Sequence, residues 1–96
     1  MVTFTDEAAR RAGVQTATVA QDGEWSVVPS AALIYEKTGA SIVFVSPKPL
    51  TYQRVKVVVA RDDGTRSWLS IGPAAGDLVV TVGVNQVWGA EQGVGH

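Results

Sequence analysis

Gly72-Pro73-Ala74-Ala75-Gly76-Asp77-Leu78-Val79-Val80-Thr81-Val82-Gly83 decides how this chain reads. Its first half is a tight polar turn. Pro73 fixes its own φ, and the glycines supply the positive φ that a sharp turn needs. Asp77 is placed to bond back to the turn backbone through its side chain. Leu78 to Val82 is an apolar, β-branched run of strand length, read as a buried strand that Gly83 ends.

Upstream, the same alternation of turns and short apolar runs continues. Arg66 to Ile71 and Leu50 to Ala60 flank the hairpin turn Asp62-Asp63-Gly64-Thr65. Val55, Val57 and Val59 share one face of the longer strand, and Arg54, Lys56 and Val58 share the other. Pro47 and Pro49 bracket a loop that does not pair as a central strand. Ser41 to Val45 is a strand, preceded by the turn Lys37-Thr38-Gly39-Ala40. Trp25 to Val28 returns from the hairpin turn Asp22-Gly23, and Val14 to Ala20 is its partner. Pro29 ends that strand or sits at an edge.

Near the start, Thr5 is an N-cap with Asp6 and Glu7 in the first turn. Ala8 to Ala12 are helix formers, and Gly13 stands at the left-handed C-terminal position. The reading is one short helix, Asp6 to Ala12, docked through Phe4, Ala8, Ala9 and Ala12 because so short a helix is not stable alone. Asn85 to Gly89 is a short terminal piece with Trp88, and residues 90–96 are expected to be a flexible tail. The expected fold is therefore mainly β: one antiparallel barrel or roll of about seven or eight short strands with a single short N-terminal helix. Val55, Val57 and Val59 are expected to face inward with Leu78, Val80 and Val82, together with Phe44, Leu69 and Ile71.

A chain of 96 residues makes one domain and suffices for a core without staples. With 46% apolar and 18% charged residues the composition is globular. A net charge of −1 gives no pull toward nucleic acid or an anionic membrane. There is no cysteine, so disulfide and thiolate chemistry are out. No apolar run approaches the ~18 residues of a membrane span. No apolar h-region follows Met1, so no signal peptide is read.

Candidate chemistry is sparse. His96, the one histidine, ends the chain, whereas a metal site needs several converging ligands. Asp62 and Asp63 are adjacent turn residues that point apart, not a catalytic pair. Ser26, Ser30, Ser41, Ser46, Ser67 and Ser70 have no histidine base in the body of the chain. No catalysis, metal or cofactor is expected. Lys48, Arg54, Lys56, Arg61 and Arg66 crowd one span with Tyr52 and Trp68. A solvated strand face with snorkelling basic stems explains them. So does a basic groove with stacking aromatics, as small barrels use for single strands.

Three stretches resemble one family. Residues 72–83 are similar to the Gly-Leu-x-x-Gly-Asp/Glu-x-Val-Val-x-x-Gly pattern of periplasmic adaptor (membrane-fusion) subunits of tripartite RND-type efflux systems, with Pro73 where the family has Leu. Residues 6–19, DEAARRAGVQTATV, resemble the family's short helix leading into a Gly-Val/Ile-x-Thr-Ala-x-Val strand. Val28-Pro29-Ser30-Ala31 resembles its Val-Pro-x-Ser-Ala segment with slightly altered spacing, and Val43-Phe44-Val45 its Val-Tyr/Phe-Val strand. The resemblance covers the membrane-proximal domain only. The lipoyl-like halves and the long helical hairpin of the family are absent from these 96 residues.

What the resemblance implies is a compact β roll on the periplasmic or cell-envelope side of the inner membrane, with no span of its own. It implies a non-catalytic docking role against an inner-membrane efflux pump subunit, with self-association in an adaptor ring and no nucleic acid. Copper- and silver-handling members carry methionine clusters near their N-termini, and this chain has only Met1. The docking face is placed at the hairpin Tyr52–Trp68, with Tyr52, Arg54, Lys56, Arg66 and Trp68, since interfaces favour aromatics and Arg. Trp68 is its exposed anchor, the other reading being a cover for the barrel end, while Trp25 and Trp88 are structural. The alternative function is a small barrel binding single-stranded nucleic acid or oligosaccharide through its basic, aromatic face.

Overall fold

The computed structural model describes residues 2–91. These residues form nine strands and two helices in the order β1 (Val2–Thr3), α1 (Asp6–Ala12), β2 (Gln15–Thr18), β3 (Ala20–Asp22), β4 (Trp25–Pro29), a 3₁₀ turn (Ser30–Ala32), β5 (Ile34–Tyr35), β6 (Ser41–Lys48), β7 (Thr51–Asp62), β8 (Arg66–Ile71), β9 (Leu78–Val82) and α2 (Val84–Glu91). All pairings are antiparallel. The hydrogen-bonded order is β2-β9-β6-β7-β8-β4-β3, with β1 added to β7 and β5 to β6. Because β2 and β3 are consecutive, the two ends of this order are joined by the chain itself at Val19, and the sheet is a nearly closed barrel.

The sheet turns at two corners. The first half of β7 pairs with β6 and its second half with β8, across register shifts at Val58/Val59 and Val59/Arg61. Such bulges let one strand serve two sheets. Val19 makes the opposite corner. Its N–H donates to the Asp77 carbonyl (2.7 Å), and its carbonyl accepts from Gly76 N–H (2.9 Å). The turn before β9 is built as its residues imply: Gly76 takes φ 95°, and the Asp77 carboxylate accepts from Ala74 N–H at 3.1 Å.

The core has two layers, not one. Val43, Val45, Val57 and Val79 of one sheet meet Val28 and Leu69 of the other in the barrel interior. Ile42, Phe44, Tyr52 and Val80 face outward from the first sheet and are covered by Val84 and Val87 of α2, with Phe4, Val14 and Trp88 at the margin. So β6 and β9 are buried on both faces, and adjacent Val79 and Val80 belong to different layers. A short, continuous apolar run is the mark of such a strand.

Several expectations are corrected. There is a second helix: Val84, Val87 and Trp88 fall at helical spacing, and α2 carries Asn85 to Gly89 and the first two residues of the expected tail, Ala90 and Glu91. The rest of that tail, and His96, lie outside the described residues. Strand β6 runs through Pro47 to Lys48, the proline sitting in a register shift between Val45 and Lys48. Strand β7 begins at Thr51 because Pro49 and Leu50 make the turn, Leu50 with φ 63°. Leu78 and Val82 are exposed at the ends of β9, and Ile71 is 62% exposed where the shift against β7 breaks its alternation. Helix α1 is capped as expected, Thr5 Oγ1 accepting from Ala8 N–H at 3.1 Å and Gly13 at φ 67°. It docks through Phe4, Ala9 and Ala12, and Ala8 is exposed.

Candidate docking surface

The five residues assigned to docking do not form one patch. Tyr52 lies near the start of β7, in the half that pairs with β1 and β6, whereas Trp68 lies on β8 against the far end of β7. Trp68 is paired with Arg61, and nine residues of strand at ~3.3 Å each place Tyr52 roughly 30 Å along the chain from that point. Tyr52 is buried in the outer layer, its ring edge-on to Phe4 with centroids 5.4 Å apart. That burial raises its phenol pKa. Arg54, on the same strand face, pairs with Glu36 at 3.0 Å and is half-buried. It thereby fastens the loop after β5 to β7. Lys56 is exposed beside an open groove of about 550 Å³ lined by Gly39, Ala40, Val58, Val59 and Ile71. Val58, 49% exposed, stands directly opposite Ile71.

Trp68 points away from the barrel interior, as alternation with Leu69 requires, but it is not exposed. It retains only 7% of its surface. Three polar side chains lie against it. The Arg61 guanidinium lies 4.7 Å from the ring centroid and that of Arg66 5.3 Å. Asp22 Oδ2 accepts from the indole Nε1–H at 2.9 Å. Trp68 is thus the support of a surface, not its exposed anchor. Trp25, expected to be structural, is 40% exposed instead, and Trp88 is half-buried in α2.

Sequence reasoning placed Arg61 in the basic span and left it out of the docking set. The signal was weak, because only the register shift before Arg61 sets it opposite Trp68. Asp22 gave no signal beyond its turn.

The turn between β7 and β8 is tied down by carboxylates. Asp62 accepts from the buried Ser67 Oγ (2.6 Å), from Gly64 N–H (2.6 Å) and from Ser30 Oγ (3.1 Å). These bonds, Ser67 first, hold its pKa below the usual carboxylate value. Asp63 Oδ1 accepts from Arg66 N–H (2.7 Å) and Thr65 N–H (2.9 Å), which lowers its pKa likewise, with a smaller contribution from the positive charges of Arg66 and Arg61. Among the described residues no three His, Cys, Asp or Glu side chains converge. No helix among them is long and apolar enough to cross a membrane. Comparison with family models, with curated proteins and with solved structures gave no match.

Proposed function

We propose that this domain is a non-catalytic docking module of a cell-envelope transport assembly, of the adaptor type, acting through its surface against an inner-membrane transporter subunit. One observation carries the reading. The three stretches that resemble efflux adaptors are far apart in sequence yet adjacent in the fold: β9, from residues 72–84, is flanked in the sheet by β2, from residues 6–19, and by β6, from residues 28–45. The β2, β9 and β6 strands of these stretches form one contiguous piece of sheet, while Val28-Pro29 lies in β4 of the other sheet. The exposed pair Val58 and Ile71 beside an open groove adds apolar surface of the kind that contacts use.

The alternative, a single-strand binder, needs an aromatic face open to base stacking. The Trp68 ring is covered, and Tyr52 lies in the core, so that reading has less support. The experiment is photo-crosslinking in cells of the native host, with the crosslinker placed at Val58 or Ile71 of the full chain. The expected product is an adduct with an integral membrane transporter subunit, identified by mass spectrometry. Adducts confined to soluble proteins or RNA would overturn the proposal.

A further inference from the structure

Arg61 and Arg66 are two exposed cations laid over one indole. Neither guanidinium has a hydrogen bond or ion pair among the described residues. The nearby carboxylates make their hydrogen bonds elsewhere: Asp22 with the indole N–H, Asp62 with Ser67, Gly64 and Ser30, and Asp63 Oδ1 with backbone N–H groups, while Asp63 meets the two guanidinium charges only through space. The ring restrains both arginine stems, so less rotamer freedom remains to be lost when a partner binds. Guanidinium is also the group whose fork geometry matches a carboxylate with two parallel hydrogen bonds.

We propose that the Arg61–Arg66 pair on Trp68 is an acceptor for an acidic, extended protein segment presented by the docking partner. This rests on the docking reading above and gives the partner's chemistry. Each guanidinium lies about 5 Å from the same ring centroid. The two groups therefore stand no more than about 10 Å apart, within reach of flexible glutamates at alternate positions of an extended segment, which repeat about every 7 Å. Nucleic acid fits less well. Its bases would find no open aromatic face on Trp68, which the two guanidinium groups cover.

The test is a titration of the ¹⁵N-labelled domain with an acetylated Ser-Glu-Ser-Glu-Ser-Glu-Ser amide at low ionic strength. The readouts are the Arg61 and Arg66 Nε–H and the Trp68 indole Nε1–H resonances. Saturable shifts are expected with this peptide and none with its Gln counterpart. R61Q/R66Q should weaken binding about tenfold, and R61K/R66K, which keeps the charge without the fork, should weaken it less. K37Q/K48Q removes the same charge from elsewhere and should leave the affinity within about twofold.

Unmoved resonances in the unmodified domain would make the stack purely structural and overturn the inference without recourse to any variant. Equal loss with K37Q/K48Q would reduce it to net charge and overturn it. Tighter binding of a short oligothymidylate would reassign the face to nucleic acid. The two proposals fail separately. A transporter adduct undiminished in R61Q/R66Q overturns the acidic-segment inference alone, and peptide binding without any transporter adduct overturns the docking reading alone.

Discussion

The two outward sheet faces of this barrel are closed in different ways. On the first, Ile42, Phe44 and Val80 are sealed by helix α2 and the chain around α1. On the second, Trp68 is sealed by two arginine side chains and one aspartate. A face closed by a helix is shut by backbone that moves only when the fold opens. A face closed by arginine stems is dry as well, yet its cover ends in charge and meets solvent. The first arrangement makes core. The second makes a surface with a fixed support beneath it, which suits recognition.

The comparison breaks first if the helix-covered layer is not true core. Phe44→Ala should cost about 3–5 kcal/mol in urea unfolding, the range for removing a fully buried Phe. A loss under about 1 kcal/mol would mean that α2 is a loose flap. Gly83→Ala tests the joint between β9 and α2. Gly83 holds φ 79°, and a Cβ there would stand 2.9 Å from the Ala12 carbonyl oxygen. Left-handed conformation alone costs a non-glycine residue about 1–2 kcal/mol, and the backbone oxygen has little room to move. About 2–3 kcal/mol is expected, and unchanged stability would show that the joint is not tight.

How the two layers read in the sequence differs for the same reason. The turns at Asp22-Gly23, Gly39 and Gly64 were legible because their chemistry is local, and all three glycines take positive φ. The interior layer was partly legible, since alternation alone puts Val57 and Leu69 inside. The outer layer was not. Reading Leu78, Val80 and Val82 as one inward face assumes a single core, whereas Val79 and Val80 serve two. The unbroken run Ile42-Val43-Phe44-Val45 held that information, because a strand wet on one face alternates. The docking set failed on distance: the Asp22 partner of Trp68 is 46 residues away in sequence, and register shifts decide what meets the ring.

The contrast sharpens with Trp68→Phe. The change keeps most of the buried ring, loses the hydrogen bond to Asp22 and weakens the attraction to Arg61 and Arg66. Asp22 is exposed and regains water, so the expected cost is only ~1–2 kcal/mol in urea unfolding. A cost matching that of Phe44→Ala would erase the difference between the faces.

The smallest effect is also the one confined to the arginine-covered side. Asp62 binds Ser67, Gly64 and Ser30 and has a lowered pKa in the folded chain. An acid that gives up its proton more readily when folded adds stability above its unfolded pKa, near 4. That contribution is lost as pH falls through the lowered folded value. Asp62→Asn should therefore lower the melting temperature at neutral pH and leave it nearly unchanged at strongly acidic pH, so the two curves converge as pH falls below about 4. Asp63 carries the same sign, so the variant keeps a residual acid dependence. The outer layer under α2 is held by apolar contacts, which have no such dependence. Phe44→Ala should accordingly run below the parent by a similar margin at every pH where both fold. If Asp62→Asn instead shows a constant offset, the hydrogen bonds to its carboxylate are not what anchors the β7–β8 turn.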